Sequence, residues 1–173
     1  MQKQKTILII AIIIVVLAVI LGGIFAYQYF SAKSQTVVQT DQTADWKNYK
    51  NAEYGFGITF PDSWKGYSIV KSQWRGWNNE TQNYDYQGVQ LVFKNPQSTT
   101  AQSWQDVLIM VVTPDVWGLI KEGGVSVSAA PVGPAKIGQN GRYVFATPPR
   151  WYGFTDASGI EEALNIVKTF KAF

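Results

Sequence analysis

Cysteine and histidine are both absent from this 173-residue chain. Without cysteine there is no disulfide framework, no thiol nucleophile and no sulfur to carry a lipid anchor. Without histidine the commonest general base is missing, and with it the commonest transition-metal ligand. Ser–His and Cys–His catalysis are excluded by composition. Charge is sparse too: only 16% of residues are Asp, Glu, Lys or Arg, and the formal net charge is +3. Lys3, Lys5 and Lys33 flank an apolar run, and the other basic residues are scattered singly, so there is no electrostatic footprint for nucleic acid. No phosphate-cradling glycine motif or calcium loop is present. Asp62, Glu80, Asp85, Asp106 and Asp115 fall in no catalytic pattern and read as solvated surface acids. The chain is therefore read as a non-enzyme, with no metal site, no cofactor and no nucleic-acid partner.

What the chain does have is a long hydrophobic run. Ile7 to Ala26 carries no charge and no polar side chain. As a helix at ~1.5 Å per residue it would span about 30 Å, the hydrocarbon thickness of a bilayer. A cleaved signal needs a shorter apolar core and a small-x-small cleavage site. A buried core helix would be apolar on one side only. A type IV pilin would carry a cleavage motif and an acid inside the helix, and neither is here. An uncleaved signal anchor over residues 7–30 fits best, with Tyr27, Tyr29 and Phe30 as an interfacial aromatic belt. Lys3, Lys5 and the terminal amine precede the helix and only Lys33 follows closely. The positive-inside rule then puts residues 1–6 in the cytoplasm and the rest of a single-pass membrane protein outside. Residues 31–45 (SAKSQTVVQTDQTAD) are polar and aperiodic, and read as a flexible linker.

From Trp46 onward about 130 residues remain, enough for one globular domain. Phe56, Ile58 and Phe60 alternate with Gly57 and Thr59, the pattern of a strand with one apolar face, stopped by Pro61. Further strands are expected at 66–75 and 84–93, with a polar loop over 76–83 between them. Gln105 to Thr113 is apolar on both faces and predicts a central strand covered on both sides. Thr113-Pro114-Asp115 has the chemistry of a helix start, and Gly123-Gly124 that of its end. Val116, Leu119 and Ile120 are its expected buried edge. Asn140-Gly141 predicts a two-residue type I′ hairpin turn that pairs Gln139 with Arg142 and lays the Tyr143 ring over Gly138. Ser158-Gly-Ile-Glu161 reads as a capping box. Ile160, Ala163, Leu164, Val167 and Phe170 then mark an amphipathic last helix. Together these give an α+β domain with one antiparallel sheet of five or six strands and packing helices.

The phrase Tyr49-x-Asn51-x-x-Tyr54-Gly55-Phe56-x-Ile58-x-Phe60-Pro61-x-x-Trp64 resembles the opening of PsbP-like domains. Ile166-Val-Lys-Thr169-Phe170-Lys resembles their last helix. The resemblance covers residues 46–173 and is strongest at the two ends; residues 72–103 depart from it. It implies an αβα sandwich in a bacterial, membrane-anchored, extracytoplasmic protein. It also implies an accessory or adaptor role, binding protein partners at the cell envelope. The metal ligands proposed in plant members include histidines, so no metal site carries over.

The candidate site is aromatic. Trp74 and Trp77 flank Arg75-Gly76, and Tyr84 and Tyr86 follow the polar loop. Strand alternation puts the two tyrosines on one face. Exposed, the four rings would grip a protein partner or stack on a glycan; buried, they are core. Trp151, Tyr152 and Phe154 form a second aromatic group. Asn79-Glu80-Thr81 matches a glycosylation sequon and carries little weight in a bacterial protein.

Overall fold

The deepest strands are apolar on both faces, and alternation marks a strand with one face covered. The computed structural model describes residues 36–38 (backbone only), 46–129, 132–152 and 157–173. The apolar run at 7–26 and the rest of 31–45 lie outside the described residues. The strands are β1 (Thr36–Val38), β2 (Asn48–Asn51), β3 (Phe56–Thr59), β4 (Ser68–Asn78), β5 (Asn83–Lys94) and β6 (Val107–Val112). Helix α1 (Pro114–Glu122) comes next, then β7 (Val125–Val127), β8 (Ala135–Gln139), β9 (Val144–Thr147), α2 (Ile160–Lys168) and β10 (Lys171–Ala172). The fold is α+β, as expected, but the strands form two sheets rather than one. A large antiparallel sheet runs β1-β4-β5-β6-β9-β8, with β7 also paired to β4; a small one runs β10-β3-β2.

The large sheet lies between two apolar layers. Val107, Ile109 and Val111 of β6 face one side, with Leu91, Phe93 and Phe145. There they meet Phe56, Ile58 and Phe60 of the small sheet and Ala163 and Ile166 of α2. Met110 and Val112 face the other side, where Trp74, Val127, Val144, Ala146 and Trp117 of α1 enclose them. The two-faced apolar pattern of β6 is thus used on both faces. Each fully buried large side chain is worth about 1.5–3 kcal/mol of transfer free energy. Phe170 follows α2 and stacks on Phe56, with ring centroids 5.2 Å apart. Pro61 ends the opening strand, and the 3-10 turn Asp62–Trp64 sinks Trp64 completely.

Several local expectations are revised. Thr36–Val38, inside the stretch read as linker, pairs antiparallel with Ile69–Lys71 of β4. β4 runs on to Asn78 because β5 and β7 pair with it there, so the loop shrinks to residues 79–82. In α1 the buried residue is Trp117, while Leu119 is exposed; the indole outweighs the leucine in filling the space above Met110. Gly123 does close the helix, at φ +79, a left-handed conformation that costs glycine no Cβ clash. Ser158 does not cap α2. Its amide donates to the Ser103 carbonyl (3.1 Å) and its carbonyl accepts from the Gln105 amide (2.8 Å), so Gly159 takes the cap position.

The β8–β9 hairpin lies where expected, with a different turn. Gln139 pairs with Val144 and Gly138 with Phe145, and Ile137 is a bulge. The loop is Asn140 to Tyr143, and the ring against Gly138 is Phe170, not Tyr143. Asn140 explains the longer loop. Its Oδ1 accepts from the amides of Arg142 (3.0 Å) and Tyr143 (2.9 Å). Its Nδ2 donates to the carbonyls of Tyr54 (2.9 Å) and Gly55 (3.0 Å).

Candidate functional site

The four aromatic residues singled out from sequence are dealt to opposite faces of the large sheet. Trp74 pairs across from Gly88, and Gly76 from Tyr86. Asn78 then pairs with Asn83, so Trp77 faces two residues, Tyr84 and Asp85. That β-bulge adds one residue to β5 and breaks the alternation that would have kept Tyr84 and Tyr86 together.

Trp74 and Tyr86 go inward. Trp74 is 5% exposed and belongs to the layer under α1, and Tyr86 packs against the same layer. The indole Nε1–H of Trp74 donates to the Val111 carbonyl at 2.9 Å, which satisfies its one polar atom. The Trp74 ring is too buried to touch a ligand, whereas Tyr86 is half-buried.

Trp77 and Tyr84 go to the other side, toward solvent. Tyr84 is 56% exposed, and Trp77 is half-buried. Their rings meet edge to face, with centroids 5.1 Å apart and planes at 79°. The Arg75 guanidinium carbon sits 4.6 Å from the Tyr84 ring centroid, a cation–π contact. Gln73 and Gln87 stand exposed beside this group, Gln87 directly across from Arg75. β6 pairs with β5 only over Gln90–Phe93, so at this end the outer edge of β5 has no partner strand among the described residues, while β7 pairs with β4 over Gly76–Asn78. Sequence reasoning missed Arg75, Gln73 and Gln87; strand period alone would have put Arg75 and Trp77 on one face.

The ion pairs among the described residues are Lys47–Asp62, Lys71–Glu53 and Lys94–Asp106, none of which involves Arg75. Asp85 is engaged in the adjoining turn, where its Oδ2 accepts from Asn78 Nδ2 (2.9 Å) and from the Thr81 hydroxyl. Asn79 is also occupied, with Nδ2 donating to the Gly123 carbonyl (2.8 Å) and to Ser126 Oγ (3.0 Å).

An open cleft of about 640 Å³ lies elsewhere, lined by Ser63, Gln97, Trp104, Glu161, Glu162 and Asn165. Two carboxylates line it, yet Glu161 and Glu162 are neighbours on one helix and do not face each other across a gap. Glu162 is spoken for: Oε1 accepts from Ser63 Oγ (2.6 Å) and Oε2 from Trp64 Nε1 (3.0 Å). In the second aromatic group, Trp151 packs partly into the core and meets Tyr152 edge-on at 5.4 Å; Phe154 lies outside the described residues. Among the described residues no helix is long and apolar enough to cross a membrane.

Compared with family models, characterised proteins and solved structures, the chain matches none.

Proposed function

We propose that this chain is a non-enzymatic accessory module of the cell envelope, held by a single membrane span at Ile7–Ala26. On this reading the N-terminus is cytoplasmic, residues 46–173 are extracytoplasmic, and the domain is a bacterial PsbP-like one. The PsbP-like assignment rests on the Tyr49–Trp64 phrase, which builds β2, β3 and the turn into Trp64. The reading of a binding role is carried by one observation: Arg75, Trp77 and Tyr84 form an aromatic–guanidinium cluster on the solvent-facing side of the β4–β5 hairpin.

Such a cluster would serve a protein partner or a glycan. Protein hot spots sit in a surround that excludes water. Here the flanking side chains Gln73 and Gln87 are exposed amides, which suit a hydroxyl-rich ligand. The glycan reading is therefore favoured over protein docking. The topology is tested by protease treatment of intact cells: loss of the domain with survival of the N-terminal segment is the expected result, and a fully protected domain would refute it. Release of the full-length product into detergent-free soluble lysate would refute the anchor.

A further inference from the structure

We infer that the ligand of the β4–β5 surface is a glycan bearing carboxylate groups, and that Arg75 is the residue that selects it. This rests on the glycan reading above and narrows it. The Arg75 guanidinium carbon lies 4.6 Å from the Tyr84 ring centroid, and a cation–π contact with the ring leaves guanidinium N–H donors for a ligand. Those donors match a carboxylate, which a guanidinium binds with two parallel hydrogen bonds. The nearest acid along the hairpin, Asp85, is held by Asn78 and Thr81. Arg75 is thus an exposed cation with no ion-pair partner among the described residues.

The rings set the second half of the selection. Trp77 and Tyr84 stand at 79° to each other, so they make a corner rather than a flat wall. A corner accepts one sugar ring at a time against an aromatic face. Gln73 and Gln87 bring amide donors and acceptors to the same sheet face, Gln87 directly across from Arg75. A neutral glycan would leave Arg75 unanswered, and an acidic peptide would leave the corner without its pyranose. A uronate-type sugar meets both demands.

The test uses the full-length chain in non-ionic detergent at about 0.15 M salt, where surface charge is screened beyond ~8 Å. Three soluble probes are compared by calorimetry: an oligogalacturonate, the same oligosaccharide with its carboxyls reduced to alcohols, and an oligoglutamate of equal charge. Binding of the oligogalacturonate alone is expected. Arg75→Gln should weaken it about tenfold or more, the size of one lost charge-assisted hydrogen bond, and Tyr84→Ala should abolish it. Both residues are exposed, so thermal unfolding of the variants should match the parent. Equal binding of the reduced oligosaccharide would overturn the carboxylate selection and leave the glycan reading standing. Equal binding of oligoglutamate would mean that charge alone is read and would overturn both. No binding of any probe would also overturn both.

Discussion

Trp74 lies flat across Gly88. A Cβ built on that glycine would stand 2.6 Å from the indole nitrogen and 2.7 Å from two ring carbons, closer than atoms pack. That same nitrogen donates the hydrogen bond to the Val111 carbonyl. A methyl group at residue 88 must therefore push the indole off its acceptor and out of the layer under α1. Gly88→Ala should cost about 1–3 kcal/mol, the usual range for overpacking a filled core. Trp74→Phe should cost a similar amount by leaving the Val111 carbonyl unpaired. Denaturant midpoints of the full-length chain in detergent check both, and an unchanged midpoint for Gly88→Ala would refute the packing.

Gly118 offers the opposite case. It sits inside α1, and a Cβ there would meet no atom within 4 Å. Alanine in its place removes backbone freedom from the unfolded chain and adds no clash. Gly118→Ala should raise stability by about 0.5–1 kcal/mol, seen as a higher midpoint with the slope unchanged.

Asn140 ties three segments with one amide. Its Nδ2 faces the carbonyls of Tyr54 and Gly55, with that of Phe173 at 3.3 Å. Asn140→Asp keeps the shape and the two accepted hydrogen bonds but points an oxygen at three oxygens. It should cost more than Asn140→Ala, for which about 1–3 kcal/mol is expected. If Asp were the milder change, the assigned orientation of the amide would be wrong.

Alkaline pH should loosen the core. Burial foremost, with Tyr49 nearby, raises the Tyr67 hydroxyl from 10.0 to about 12. Its proton is thus held more tightly in the folded state. The resulting stability is fully present below pH 10 and is lost as pH climbs from 10 toward 12, at up to ~1.4 kcal/mol per pH unit. Tyr49 and Tyr54 are raised as well, burial being the leading cause in each, so they push in the same direction. Unfolding free energies at pH 9, 10 and 11 should fall, and more gently in Tyr67→Phe. On the acid side, a hydrogen bond from Tyr54 and then one from Lys71 lower the Glu53 carboxyl. Its contribution is present above pH 4.5 and is lost as pH falls through the lowered value; since Glu53 is solvent-exposed, that loss should be small.

How much of this was legible differs from element to element. Phe56, Ile58 and Phe60 announced a strand, and Val107 to Val112 announced one buried on both faces, because strand period depends only on neighbours in sequence. The division into two sheets was not legible, since a strand that faces inward alternates in the same way whichever sheet holds it. Bulges at Tyr84–Asp85 and at Ile137 add single residues that leave no mark on composition. After each, a face or a pairing inferred by counting in twos is off by one. Asn140-Gly141 looked like a local turn signal, yet the asparagine answers to Tyr54 and Gly55, more than eighty residues away. The aromatic cluster was half legible: strand period separates Trp77 from Trp74, while Tyr86 was indistinguishable from Tyr84 without the bulge.

The small sheet is finished by residues from the far end of the described domain. β10 pairs with β3, and the Phe173 amide donates to the Gly55 carbonyl at 3.0 Å. Thr169 Oγ1 accepts from the Thr59 amide and donates to its carbonyl, across 110 residues. β3 therefore waits, one edge open, until Lys171 and Ala172, more than a hundred residues later, pair with it. Such closure makes assembly an all-at-the-end event, slow by its long contact order, and it gives quality control a clear mark of an unfinished molecule: the bare flank of β3.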